Sequence, residues 1–284
     1  MKFSFILCTL NRKKELIQAI NSILSQGIDD LEIIVVDQSK ERKDYIAEMD
    51  GRIVYIHSER KGLSRNRNIG IKNAKGDYVC IMDDDAIYAE NTLKNIEKII
   101  IQHNPDIIGG IIVDSETKDY YIGATKKRAD GFITAKELFE CCSSAALVFK
   151  RKLWEGDEFD ENFGIGEKWG SGEEIDFVTR LMYKGAKFYF SRLFLVYHPS
   201  SDKRQMGTDK AYSYSLGFGA LCAKHYYKYS NMFFIWMYRK ALIKHIIAKN
   251  IYTIKNDKYM MEFYKKSYKG KKQGFKEYRY KLEG

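Results

Sequence analysis

The sequence predicts an α/β fold: a mostly parallel sheet flanked by helices, followed by a C-terminal helical extension. Three observations carry that prediction. Short β-branched apolar runs alternate with segments of helical spacing from residue 3 to residue 113, the pattern of strand–helix–strand units in a doubly wound sheet. Polar and acidic residues follow the apolar runs directly, at the carboxyl strand ends where open α/β sheets bind ligands. From about Asp209 onward the apolar residues fall at helical spacing alone, as in packed helices.

The elements follow in order. Phe3–Cys8 is a short apolar run read as a buried first strand. It is too short for a secretory leader, no small-residue cleavage site follows, and Asn11-Arg12-Lys13-Lys14 comes next. Leu16, Ile17, Ile20, Ile23 and Leu24 repeat as one helix face. Leu31–Val36 is continuously apolar, as a strand covered on both faces is, and Asp37 ends it. Arg52–Ile56 is a third strand, Leu63–Ala74 a helix, and Asp77–Met82 a fourth strand running into Asp83-Asp84-Asp85. Leu93–Gln102 is an amphipathic helix and Ile107–Val113 a fifth strand. Residues 114–134 are polar without a period, which predicts a surface excursion. Ser144–Phe149 reads as a strand. Phe163–Gly172 holds four glycines in ten residues, and Glu173–Tyr183 then reads as a helix. Lys187–Phe190 and Leu193–Tyr197 read as two short strands, and the tail as two or three helices.

Composition excludes several classes. With 45% hydrophobic and 30% charged residues among 284, and only 2 prolines, the chain is neither disordered nor a collagen-like stalk. The apolar run Met232–Tyr238 covers 7 residues, against the ~20 a transmembrane helix needs, so no span is expected. The 5 cysteines are odd in number and lack zinc-site spacing, which predicts reduced thiols in a cytoplasmic chain. Charge is uneven: from Lys203 to the end there are 19 Lys+Arg against 5 Asp+Glu, while the whole chain carries +10. A basic, aromatic tail on a near-neutral body points to an anionic surface.

Asp83-Asp84-Asp85 is the strongest chemical signal. Three adjacent carboxylates repel one another, and a divalent cation with hard oxygen ligands removes the conflict. In extended geometry Asp83 and Asp85 face the same side. An acidic turn capping the next helix is the bland alternative. Context favours the cation: Thr9-Leu10-Asn11-Arg12 follows the first strand, Asp37-Gln38-Ser39 follows the second, and Gly62–Gly70 precedes the fourth.

The ordered set CTLNR, VVDQS, GLSRNRNIG, AKGDYVCIMDDDA and GSGEEIDFVTRL resembles glycosyltransferase family 2, with its Rossmann-like GT-A fold, over roughly residues 3–200. The resemblance implies a catalytic domain over residues 1–202, with a nucleotide-binding half of about 1–113 and an acceptor half of about 114–202, and a basic helical tail over 203–284. It implies that Thr9 and Asp37, with Asn11 and Arg12 beside them, hold the nucleotide base and ribose. A carboxylate accepting a uracil or thymine N–H discriminates against cytosine; Gln38 stands where the family often has a further acid. Arg67 with Asn68 matches a position near the donor diphosphate, where guanidinium geometry suits phosphate oxygens. Asp85 and Asp83 match the metal-binding acids, with Asp83 and Asp84 also on the nucleotide-sugar side and His198 as an added metal ligand. Glu174 falls where the family usually has an aspartate general base, one methylene longer, and Glu173 is its substitute; acids in a helix's first turn also suit the dipole without catalysis. Trp169 is a sugar-stacking platform or a loop anchor, and Asp176 an acceptor contact.

The implied activity is inverting, divalent-metal-dependent transfer, with Mn²⁺ or Mg²⁺, from a nucleotide-sugar, UDP first among donors, to a hydroxyl of a growing bacterial surface glycan that is lipid-linked. The tail, where Tyr226, Tyr227, Tyr229, Phe233, Phe234, Trp236 and Tyr238 sit among lysines and arginines, suits an anionic membrane surface at the cytoplasmic face. Packing on the catalytic domain and a homodimer face are the other readings. Competing functions explain less. A sugar-phosphate nucleotidyltransferase needs a glycine-rich basic loop after the first strand, and CTLNRKK has no glycine. A nucleic-acid binder leaves the acids unexplained, so no nucleic-acid partner is expected. An inactive scaffold is separated from an enzyme by turnover alone.

Overall fold

The computed structural model describes residues 2–199 and 203–283, so the expected domain boundary after residue 202 falls outside the described residues. The chain forms two compact units, Met1–Phe159 with Phe177–Ser200, and Asp160–Asp176 with Ser201–Gly284. The segment 160–176 thus groups with the tail.

In the first unit the elements run β1 (Phe3–Thr9), α1 (Lys13–Leu24), β2 (Leu31–Asp37), β3 (Ile53–His57), α2 (Leu63–Asn73), β4 (Tyr78–Asp83), β5 (Ile87–Tyr88), α3 (Thr92–His103), β6 (Ile107–Val113), β7 (Gly131–Ile133), α4 (Leu138–Cys141), β8 (Leu147–Lys150), α5 (Glu173–Tyr183) and β9 (Phe188–Tyr197). The first four residues of α5 belong to the second unit. The strands order as β3-β2-β1-β4-β8-β6-β9-β5, with β7 paired to β9. From β3 to β4 all pairs are parallel. The inverted strand β8 then joins β4 to β6, and β9 runs parallel to β6. Every residue of β1, β2 and β6 is buried, as expected for strands sandwiched between helices. Apolar residues of α1 and α3, among them Leu16, Ile20, Leu93 and Ile96, fill one core with those strands.

Three expectations are corrected. The two short strands over 187–197 are one strand, because Asp130 bonds Ser191 and accepts from the Arg192 backbone at 3.0 Å, carrying the chain through a polar interruption at which the β6 register shifts. The strand expected at Ser144–Phe149 begins later, after a single 3₁₀ turn over Ser144–Ala146. The excursion over 114–134 contains a 3₁₀ turn at Gly123–Lys127 and the strand β7.

The second unit contains α6 (Thr208–Tyr229), α7 (Met232–Ile254) and α8 (Lys258–Glu283). Asn231 caps α7 by accepting from the Phe233 backbone N–H at 3.0 Å, satisfying one orphan donor of the first turn. Helices α6 and α8 cross backbone to backbone: a methyl group on Gly274 would lie 1.9 Å from the Leu216 carbonyl oxygen, and one on Gly219 2.2 Å from that of Lys271. Among the described residues no helix is long and apolar enough to cross a membrane. All five cysteines are buried thiols.

Candidate active site

Sheet register builds the site. Thr9 of β1 lies opposite Asp37 of β2, and Cys8 opposite Asp83 of β4, so three polar side chains line up where the parallel strands end. Beyond β4 the chain turns and β5 pairs antiparallel to β9, Ile87 opposite Tyr197. That pairing brings Asp85, two residues before Ile87, against His198, one residue after Tyr197.

The three aspartates then divide by alternation. Asp83 and Asp85 both face His198, whose Nε2 is 3.8 Å from Asp83 Oδ2 and 3.0 Å from Asp85 Oδ1. Asp84 turns the other way, accepting from the Thr9 hydroxyl at 2.6 Å and from Arg12 Nη1 at 3.1 Å. Arg12 also bridges to Asp85. Arg67, buried on α2, donates to Asp83 Oδ1 at 3.0 Å. The site therefore holds three carboxylates among two guanidiniums and an imidazole. Burial pushes the Asp84 carboxyl up despite Thr9 and Arg12. Burial acts the same way on Asp85, but the bond and charge of His198, aided by Arg12, outweigh it and hold that carboxyl low. Burial alone would lower His198; its bond to Asp85 and the charges of Asp83 and Asp85 reverse the sign and raise it.

The donor set suits a divalent cation. His198 Nδ1 lies 2.8 Å from the Pro199 carbonyl, which fixes that nitrogen as the donor and aims Nε2 at the two acids, the outer-sphere arrangement found for ligating histidines. Among the described residues no group of three or more such side chains forms a ready cage. Asp83 and Asp85 offer hard oxygens, with the His198 imidazole beside them, that could engage an ion such as Mg²⁺ or Mn²⁺ taking the rest of its shell from substrate oxygen and water.

Asp37 is a separate centre at the end of β2. It is fully buried and accepts from the Ser39 backbone at 2.8 Å, the Ser39 hydroxyl at 2.5 Å, Tyr55 at 3.0 Å and Lys43 at 3.2 Å. Burial would raise this carboxyl, but those donors prevail and its pKa is lowered. Asn11 adopts a left-handed backbone, φ 59°, and its N–H reaches Ser39 Oγ at 2.9 Å. Gln38 accepts from the Gly62 backbone ahead of α2 at 2.8 Å. Lys43, Tyr55 and Ser144, whose hydroxyl is 3.4 Å from Asp83, went unnoticed in the sequence. Ser39 alone had a local signal, standing in the Asp37-Gln38-Ser39 turn.

Three expected site residues do other work. Asn68 donates to the Phe159 carbonyl and accepts from its N–H, both at 2.9 Å, and also accepts from Trp154; its amide ties a loop rather than facing a diphosphate. Trp169 is fully buried against Phe163 and Tyr278, so no sugar can stack on it, and it is the loop anchor. Asp176 is fully buried with Lys224 Nζ at 2.8 Å and His225 Nε2 at 3.1 Å, out of an acceptor's reach. Of the two candidate bases on the first turn of α5, Glu173 is buried and Glu174 is half-buried. They lie in the second unit, as Trp169 and Asp176 do. A cavity of about 700 Å³ in that unit, lined by Tyr227, Tyr238, Tyr268, Phe275, Lys272 and Arg279 among others, contains none of these residues.

The family described as "Glycosyl transferase family 2" matches residues 4–156. A Campylobacter jejuni protein named GalNAc(5)-diNAcBac-PP-undecaprenol beta-1,3-glucosyltransferase is 29% identical over 231 residues, 76% of this chain and 72% of that protein. The crystal structure of S. aureus TarS 1-349 in complex with UDP-GlcNAc superimposes with TM-score 0.60 at 17% identity, covering 99% of this chain and 92% of that one. The mannosyltransferase PcManGT from Pyrobaculum calidifontis, in complex with GDP-Man and Mn²⁺, does so with TM-score 0.60 at 18% identity, covering 78% and 63%. At such identity the structural likeness is one of fold, the GT-A α/β fold.

Proposed function

The chain belongs to glycosyl transferase family 2 and is a glycosyltransferase, and we propose that it transfers a sugar, with inversion, from a UDP-sugar to a hydroxyl of a lipid-linked surface glycan. The observation that carries this reading is the convergence of Asp83, Asp85 and His198 beside Arg67 at the carboxyl edge of the sheet. Asp83, Asp85 and His198 would hold Mn²⁺ or Mg²⁺ there, and such an ion would supply positive charge toward the departing diphosphate. Arg67 and Arg12 add guanidinium donors suited to phosphate oxygens. Thr9, Asn11 and Asp84 line the sugar and ribose side.

Glu174 takes the proton of the acceptor hydroxyl as its oxygen attacks the anomeric carbon. A new carbon–oxygen bond forms on one face while the bond to the diphosphate breaks on the other, and nucleoside diphosphate leaves. Partial exposure favours Glu174 over the buried Glu173. The ionised Asp37 accepts a ring N–H of uracil, with the more distant Lys43 ammonium yielding its place. The complexes of the structural neighbours, with UDP-GlcNAc and with GDP-Man and Mn²⁺, support a nucleotide-sugar donor and a metal. The undecaprenol-linked substrate in the Campylobacter protein's name supports a lipid-linked acceptor, met at a membrane surface.

Calorimetric binding of UDP, dTDP, GDP and CDP, each with Mn²⁺ and with EDTA, tests the donor side. UDP or dTDP binding that EDTA abolishes is expected. A preference for GDP would overturn the role of Asp37, and no binding to any of the four would overturn the donor reading.

A further inference from the structure

We infer that α7 lies flat on an anionic lipid bilayer, with the face carrying Met232, Trp236, Ile243, Ile247 and Ile254 turned into the headgroup boundary. This deepens the reading of a membrane-borne acceptor and rests on it for the reason a membrane is met; the evidence is the helix itself. Of its 23 residues only Phe234 is buried. Those five apolar side chains are 65%, 52%, 59%, 54% and 86% exposed, far more than isolated surface hydrophobics need explain. Their spacing places them along one stripe of the helix, which spans about 34 Å at 1.5 Å per residue.

Charge identifies the occupant. Exposed Arg239, Lys240 and Lys244 flank the stripe, and α7 contains no Asp or Glu. The Lys240 ammonium sits 4.8 Å over the Trp236 ring, so an aromatic and a cation share the edge of the stripe. Asn250 and Thr253 are the only uncharged polar residues among its exposed positions. A second copy meeting this face would set cations against cations with no carboxylate on α7 to answer them. Anionic headgroups supply the countercharge along its length. No described helix is apolar enough to cross the membrane, so α7 lies on it.

The test is sedimentation of the full chain with vesicles of phosphatidylcholine alone and of phosphatidylcholine with about 30% phosphatidylglycerol, without donor or acceptor. Binding to the anionic vesicles roughly tenfold above the neutral ones, weakened by salt, is expected. The exposed pair Ile243→Glu and Ile247→Glu should abolish it while leaving the melting temperature and UDP binding unchanged. Lys240→Glu with Lys244→Glu should remove the preference for anionic lipid. Equal binding by the isoleucine variant, or no binding to either vesicle, overturns the assignment. So does a concentration-dependent dimer in ultracentrifugation that the isoleucine variant dissolves. Because lipid binding is read without turnover, its failure and a failure of the transfer reading are distinguishable.

Discussion

Asp85 answers to two partners, the His198 imidazole and the Arg12 guanidinium, and its removal unbalances both. Asp85→Asn should abolish transfer and weaken Mn²⁺-dependent UDP binding by more than the roughly 10–100-fold that loss of an outer-sphere partner costs; calorimetry with and without EDTA reads it. Glu174→Gln should lower kcat by about 10²–10⁴-fold, the usual share of a general base, and leave UDP affinity unchanged. Near wild-type turnover would move the role to Glu173. Adjacency made the aspartates visible in the sequence, since three acids at a strand end are a local pattern. Lys43 and Tyr55 were invisible because they reach Asp37 from a loop and from β3, and no spacing encodes that reversal. For Asn68 and Asp176 residue type advertises chemistry, but only packing reveals that the side chain is sealed; of the two readings open for Trp169, its burial favours the loop anchor.

Helices α6 and α8 are held by absent side chains. Gly274→Ala forces a methyl into the Leu216 carbonyl and should destabilise the protein by about 1–3 kcal/mol, the cost of overpacking. Gly51→Ala, with nothing within 4 Å of the added carbon, is the control, and thermal melts compare them. Next to that crossing Lys271 is buried, donating to Ser215 at 2.9 Å and facing His245 Nε2 at 3.5 Å. Burial and the Lys271 charge push His245 down to about 4, and burial pushes Lys271 down to about 8. Between about 4 and the ordinary histidine value of 6.5 the unfolded chain binds more protons at His245, so stability falls as pH drops through that window. Melting at pH 5 should therefore come below melting at pH 7, and His245→Gln should shrink the gap. The helical tail was legible as periodicity, and Ile107–Val113 and Glu173–Tyr183 were legible to the residue. The join across Ser191 and Arg192 was not, because Asp130, about sixty positions earlier, supplies its bonds.

Over the whole molecule, residues 160–176 belong to the same compact unit as the tail. Lys224 binds Asp160 and Asp176, both at 2.8 Å. Lys224→Met should cost about 3 kcal/mol or more, because it strips a buried carboxylate of its cation. A chain stopped at residue 202 loses Lys224 and His225 together and should be recovered insoluble or unfolded by circular dichroism. The tie also governs how such a chain is inherited. Glu174 stands two residues from Asp176, so the segment bearing the candidate base is matched to its helices as a key is to one lock. Recombination that exchanges tails between relatives must carry 160–176 along with them, or the exchanged enzyme arrives with a charge it has no means to bury.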